Sequence, residues 1–461
     1  MGRLKCFKAY DIRGQVGEDL TEAFAYGLGR AAAAELSAAQ VVIGRDVRAS
    51  SPALSEALAR GLQSAGCGVL DLGLCGTEEV YFATDHYRAQ GGIIVTASHN
   101  PIGDNGFKLV GAGAAPLPEA QFRAIEARLA EGTGRAASAP GSYRAVDCRA
   151  AYVARVLSFV EPATLAPLHL FANGGHGAAG PTLDAVVAGL EAQGAPLRVT
   201  RGHHAPDPAF PAGIPNPMLP ENQPLTGAPT RAAGADLGVA WDGDFDRCFF
   251  FDHTGAFVPG EYVVAVLAQA MLARTPRARI VHDARVAWNT QRVVRTAGGV
   301  PVMGQTGHAL MKALMRAQGA VYGGELSAHH YFRDFMYCDS GMIPWLLMLA
   351  QISASGQSLQ QSCAEMRARH PSSGEINFRV ADADRAVAEV LARLGPDAVG
   401  IDQTDGLSLS FAEWRANLRR SNTEALLRLN VEARDDADLV AAQVARITEI
   451  LRPFAAQDAA Q

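Results

Sequence analysis

Two short runs of residues have the composition of a phosphoryl-transfer site. The first is Thr96-Ala97-Ser98-His99-Asn100-Pro101-Ile102-Gly103-Asp104, which follows the apolar run Gly92-Ile93-Ile94-Val95. It presents a serine hydroxyl on a turn, and Pro101 keeps Asn100 out of helical backbone. The second is Asp242-Gly243-Asp244-Phe245-Asp246-Arg247, after Val239-Ala240-Trp241. If this run is extended, alternate carboxylates share one face and repel, and a hard divalent cation relieves that repulsion. A serine that can carry a phosphoryl group beside a carboxylate cage is the minimum equipment for transfer through a phosphoserine. An EF-hand is excluded, because Arg247 and His253 stand where glycine and glutamate would be needed. The hydrolase GxSxG elbow is also missing around Ser98.

Two further runs suit ligand recognition. Gly323-Gly324-Glu325-Leu326-Ser327-Ala328-His329-His330 sets a carboxylate and a hydroxyl beside glycines, which suits the vicinal hydroxyls of a sugar. Its histidines suit proton transfer near neutral pH. A zinc site from His329 and His330 is a poor reading, since adjacent strand residues diverge. Arg419-Arg420-Ser421-Asn422-Thr423 combines guanidinium groups with hydroxyls, the makings of a phosphate clasp.

The elements that must position these runs alternate between strand-like and alanine-rich helical stretches. Helices are expected over Thr21–Leu36, Ser51–Gln63 with Ser51-Pro52 as its cap, Tyr81–Arg88 and Ala383–Leu394. Strands are expected over Val41–Ile43, Gly68–Leu72, Gly92–Val95, Leu168–Ala172, Ala278–His282, Ile376–Val380 and Leu426–Val431. Residues 131–141, rich in Gly, Ala, Ser and Pro, read as a linker. With 461 residues the chain is too long for one core. Four segments are expected: 1–150 with the serine loop, 151–252 with the acidic loop, 253–370 with the sugar loop and 371–461 with the phosphate loop.

Composition narrows the function classes. A net charge of −6 gives no global attraction to nucleic acid, so an anionic ligand must be held by local arginines. Lysine occurs only at Lys5, Lys8, Lys108 and Lys312, which makes Lys108, ten residues after Ser98, conspicuous. Seven cysteines without a CxxC pair imply reduced thiols and a cytoplasmic protein. No apolar run is long enough to span a membrane.

Taken in order, these motifs resemble the α-D-phosphohexomutase family, and within it the bacterial phosphomannomutase/phosphoglucomutase branch. The resemblance is carried by residues 7–14, Thr96–Pro101, Asn105-Gly106-Phe107-Lys108, Trp241–Arg247, Gly324–His329 and Arg419–Thr423. It implies three similar α/β domains and a smaller α+β C-terminal domain, arranged as a heart around a central cleft. Ser98 would carry the phosphoryl group and, with Asp242, Asp244 and Asp246, bind one Mg²⁺. His99, Lys108, Arg13, His308 and His329 would serve catalysis, with Tyr10 lining the reacting end. Arg247, Arg285, Thr306, Gly307, Glu325, Ser327, Arg419, Ser421, Asn422 and Thr423 would bind substrate. Lys108 or His329 would act as base. The implied reaction interconverts hexose 1- and 6-phosphates of mannose and glucose through a 1,6-bisphosphate, supplying precursors for exopolysaccharide and lipopolysaccharide. Glucose 1,6-bisphosphate or an equivalent would activate a monomeric enzyme. The alternatives are a phosphoglucosamine mutase and a catalytically inactive sugar-phosphate-binding protein. Gln305, where the family usually has lysine, and Ala425, where it usually has proline, are departures from the pattern.

Overall fold

The structure is a computed structural model and describes residues 4–132, 137–420 and 426–456. It forms a four-domain α/β architecture that divides into two compact units. One unit comprises Met1–Val258 with His329–Gly356, and the other Pro259–Ala328 with Gln357–Gln461.

In the first unit, one sheet runs in the order Ile12–Gln15, Asp104–Gly111, Gly91–Val95, Gln40–Arg45, Gly68–Leu74, Tyr143–Ala145. Its centre is parallel and fully buried, as the continuous apolar runs Val41–Ile43 and Ile93–Val95 require. Thr21 caps the helix Glu22–Glu35 by accepting from the Phe24 amide, which is why that boundary is readable from sequence. A second sheet runs Phe257–Val258, Cys248–Asp252, Leu237–Trp241, His169–Asn173, Arg198–Gly202. In each sheet a central strand stops just short of a chemical run. Gly91–Val95 delivers the chain to Ser98, and Leu237–Trp241 delivers it to Asp242. The hairpin His330–Phe332 with Cys338–Asp339 and the apolar helix Met342–Ser355 also belong to this unit.

In the second unit, Arg279–Asp283 lies between Val300–Gly304 and Tyr322–Gly324, all parallel. A separate antiparallel sheet runs Ile376–Arg379, Leu426–Ala433, Trp414–Arg420, Leu407–Ser410, Gly400–Asp402. Its own core comes from Leu407, Leu418, Leu427 and Leu429 of the sheet and from two helices, Ala383–Leu394 and Ala437–Leu451.

Three local expectations change. The helix expected from Tyr81 begins at Thr77, where the Glu79 carboxylate accepts from the Gly76 amide. Ser50, not Ser51, holds the N-cap position of the helix Ser51–Ser64. The acidic run is not extended. It is a turn between two strands, with Phe245 in left-handed backbone at φ 44°. All seven cysteines are buried free thiols. Among the described residues no helix is long and apolar enough to cross a membrane.

His330 is completely buried, and burial alone pushes its imidazole down to about 3. In the unfolded chain a histidine titrates near ~6.5. This contribution to stability is therefore complete above that pH and is lost as pH falls toward the folded value. Between about pH 6 and about pH 4.5 the wild type should lose ~1.4 kcal/mol per pH unit more than His330→Gln. Urea unfolding across that window checks it. Equal slopes in the two proteins would contradict the expectation.

Candidate active site

The first unit gathers Ser98, His99, Lys108, Arg13, Arg247, His329 and the three aspartates. Ser98 is buried and sits in left-handed backbone at φ 49°, uncommon for a residue with a side chain. Its amide donates to Thr96 Oγ1 at 2.9 Å. The turn is held from outside by Arg48, which the sequence reading missed. The Arg48 guanidinium donates to the carbonyls of Pro101 (2.8 Å), Asp104 (2.9 Å), Ser98 (3.0 Å) and Asn100 (2.6 Å). Asp46 orients Arg48 from 3.6 Å. The only local hint was an Asp and an Arg just after a buried strand.

Carboxylate oxygens of Asp242, Asp244 and Asp246 lie within 4.8 Å of one another. They converge because the turn folds, with the buried Phe245 as its anchor. A Cβ on Gly76 would stand 2.2 Å from the Phe245 ring, so only glycine lets that ring seat. Gly243 does the same for the serine turn, since a Cβ there would be 2.6 Å from the Ser98 carbonyl oxygen. Ser98 Oγ is 2.5 Å from Asp242 Oδ2.

The charge arrangement follows from burial. Lys108 Nζ donates to Asp244 at 2.7 Å and also to Asp246. Burial disfavours its ammonium, but Asp244 and Asp246 outweigh that and raise its pKa. In this arrangement Lys108 is a buried cation paired with two of the three aspartates. Burial pushes Asp244 up, yet Lys108 and then Arg13 hold it well below the usual carboxylate range. Asp246 goes the other way, through burial and the neighbouring Asp244.

Arg247 Nη2 donates to Asp242 at 2.8 Å and to Nδ1 of His99. Since guanidinium can only donate, Nδ1 of His99 carries a lone pair. Desolvation of the ring nitrogens, then Arg247 and Arg13, push the His99 pKa well below 6.5, although 39% of the side chain stays exposed. Ser98 Oγ lies 3.0 Å from that Nδ1. His329 Nε2 is 3.9 Å from Asp246 Oδ1. Tyr10 lies half-buried in the turn before the strand Ile12–Gln15.

The donor set fits a hard divalent cation. All the ligand atoms are oxygens, and Asp244 Oδ1 is buried without a hydrogen-bond partner. Thr77 Oγ1 holds the other Asp244 oxygen at 2.6 Å, a contact that the sequence reading also missed.

The second unit holds the remaining groups. Buried Asp283 accepts from Arg285 Nη2 at 2.5 Å and from the Leu326 amide at 2.8 Å, joining Arg285 to the sugar loop. Glu325 accepts from the Gly307 amide at 2.8 Å. Asp405 accepts from Thr306 Oγ1 at 2.6 Å and from its amide at 3.1 Å. These bonds meet the amino end of the helix His308–Gln318, where carboxylates are favoured. Arg415 and Glu432, both buried, grip the turn around Arg285. Arg415 donates to the Ala284 carbonyl at 2.5 Å, while Glu432 accepts from the amides of Ala287 (2.8 Å) and Trp288 (2.9 Å). Ser327 and His308 are half-buried, and Gln305 is exposed. Arg419 is the penultimate residue of the strand Trp414–Arg420 and is buried. Ser421, Asn422, Thr423 and Ala425 lie outside the described residues.

Replacing Arg48 tests the turn. Arg48→Lys keeps the charge beside Asp46 but cannot serve four carbonyls from one planar group. It should cost about 2–3 kcal/mol of stability. Turnover should fall at least about tenfold with little change in KM, because Ser98 is mispositioned. Unaltered kinetics would show that the turn holds its shape without this guanidinium.

Four family models cover most of the chain. The phosphoglucomutase/phosphomannomutase alpha/beta/alpha domains I, II and III match residues 4–135, 150–255 and 259–370, and the C-terminal domain of the same family matches 375–450. A phosphomannomutase of Salmonella montevideo is 51% identical over 455 residues, covering 98% of this chain and 100% of its own. A protein named phosphohexose mutases, from Xanthomonas campestris pv. campestris, is also 51% identical, over 450 residues, 97% of this chain and 99% of its own. The crystal structure of a phosphoglucomutase/phosphomannomutase family protein from Burkholderia thailandensis superposes with a TM-score of 0.86 at 30% identity, covering 99% of both chains.

Proposed function

Because the chain belongs to the phosphoglucomutase/phosphomannomutase family, and is a metal-dependent isomerase that moves phosphate between positions of a hexose, we propose that it does so through a phosphoserine at Ser98, on mannose and glucose phosphates alike. One observation carries the assignment of the serine. A buried hydroxyl in left-handed backbone lies 3.0 Å from the unprotonated nitrogen of a neutral histidine and 2.5 Å from an aspartate.

In this reading phosphoserine 98 passes its phosphoryl group to a free hydroxyl of the sugar phosphate. The serine Oγ–P bond breaks, a sugar O–P bond forms, and the hydroxyl proton leaves to a base. The product is a 1,6-bisphosphate. It then returns its other phosphoryl group to Ser98 Oγ, whose proton leaves to a base. Arg247 and Lys108 hold fixed positive charge beside the transfer. Asp242, Asp244, Asp246 and the serine oxygen would hold Mg²⁺, which supplies further positive charge against the moving phosphoryl group. Arg285 and Arg419 would hold the phosphate that does not react, with Ser421, Asn422 and Thr423 completing that clasp. Glu325 and Ser327 would take sugar hydroxyls away from C2, so mannose and glucose are both accepted. A hexose 1,6-bisphosphate would restore the phosphoserine after it is lost.

The serine is tested by intact mass. A fraction of the protein should carry about 80 Da of excess mass, the increment of one phosphoryl group. Ser98→Ala should lose both that excess and nearly all turnover. Wild-type turnover in this variant would exclude the phosphoserine route.

The cation is tested by chelation. EDTA should abolish turnover and Mg²⁺ restore it, and Asp244→Asn should need a much higher Mg²⁺ concentration for half-maximal rate. Full activity in chelator would remove the metal from the scheme.

A further inference from the structure

The guanidinium groups assigned to the substrate phosphate are already shared with carboxylates of the chain itself. Glu375 is the centre of this arrangement. Its Oε1 is 3.2 Å from Arg428 Nη1, and its Oε2 is 3.4 Å from Arg285 Nη1 and 3.9 Å from Arg419 Nη2. Asp405 Oδ2 adds a contact 4.0 Å from Arg419 Nε, and Asp283 pairs with Arg285 at 2.5 Å. Among the described residues the three guanidiniums therefore face Glu375, Asp405 and Asp283, with Glu325 also acting on Arg285.

The cations are not matched equally. Arg285 has a close, two-pronged partner in Asp283, through Nε at 3.0 Å and Nη2 at 2.5 Å. Arg419 is 95% buried by its 5% exposure, its Nε has no hydrogen-bond partner, and its two carboxylates stand at 3.9 and 4.0 Å. Burial and the neighbouring Arg285 and Arg428 depress its pKa despite Asp405 and Glu375. A buried guanidinium so placed gains from a nearer, more highly charged acceptor.

Glu375 is also placed to give way. It precedes the strand Ile376–Arg379, follows Gly374 in left-handed backbone at φ 65° with open space around it, and its side chain is partly exposed at 18%. A dianionic phosphate with three acceptor oxygens can displace such a carboxylate. A monoanion, matching the charge of Glu375 and no more, has little advantage over it.

We propose that Glu375 is a specificity-determining residue, an internal anion that competes with the substrate phosphate for Arg285, Arg419 and Arg428, excludes weaker anions and speeds release of product. The proposal rests on the reading of Arg285 and Arg419 as phosphate ligands.

Steady-state kinetics on Glu375→Gln, with inorganic phosphate and nitrate as inhibitors at constant ionic strength, test it. KM for hexose 1-phosphate should fall about three- to tenfold, and the inhibition constant of inorganic phosphate should fall at least as far. Nitrate should inhibit the variant more strongly than the wild type, and kcat should not rise. A higher KM, or weaker inhibition by phosphate, would show that Glu375 instead props the guanidiniums and would overturn the proposal. So would unchanged constants. If Glu375→Gln does not fold, judged by its thermal transition, Glu375→Asp replaces it. Its carboxylate is withdrawn by one methylene and must shift the constants in the same direction by a smaller factor. Arg419→Ala separates the two claims. Unchanged KM and unchanged phosphate inhibition in that variant would refute the underlying phosphate assignment, whatever Glu375→Gln shows.

Discussion

Three carboxylates buried side by side cannot stay ionised unless positive charge is built in with them. Asp242, Asp244 and Asp246 share one turn, and that crowding governs what surrounds them. Lys108 enters from the strand Asp104–Gly111, Arg247 from the end of the turn itself and Arg13 from the edge strand Ile12–Gln15. The apolar residues Trp241 and Phe245, both fully buried, keep water from screening these charges. In such surroundings each cation keeps its proton and His99 loses its own. The division between a fixed electrostatic frame and the histidine ring beside Ser98 follows from burial together with the placement of these charges.

Much of this was legible in the sequence wherever the determinant is local. The helices Glu22–Glu35 and Ala383–Leu394 begin near where they were expected, because Thr21 and Asp382 cap their amino ends. The strands ending at Val95 and Trp241 were legible as short apolar runs, and the residues that follow them were legible as chemistry. What stayed hidden depends on distant partners. The helix at Thr77 starts early because Gly76 packs on Phe245 and Thr77 bonds Asp244, both far along the chain. The helix Met342–Ser355 was not picked out, since it is apolar on nearly every side and shows no 3.6-residue period. Arg48, Glu375 and Asp405 look like ordinary surface charges in sequence, and only the fold brings them to carbonyls or guanidiniums.

The second unit solves a related problem with the signs reversed. There the crowded groups are arginines, and buried carboxylates are brought in to balance them. Asp283 and Glu432 lie on strands, so their positions are set by sheet geometry, whereas the partly exposed Glu375 stands just before the strand Ile376–Arg379. The Arg415–Glu432 pair faces across neighbouring strands in register, and it holds the backbone of the turn that carries Arg285. Breaking such a pair would leave a lone buried charge, which is far more costly than the pair itself is stabilising.

Arg48 bonds only to main-chain carbonyls of the serine turn, and every residue type supplies the same carbonyl. The grip of this guanidinium is therefore indifferent to which side chains the turn displays. Ile102, 61% exposed, can be exchanged, by drift or by design, without disturbing the backbone that aims Ser98, whereas Asn100 is tied to Asp104 within the turn. At such exposed positions the turn is a mount for interchangeable side chains, and its reactivity can evolve separately from its architecture.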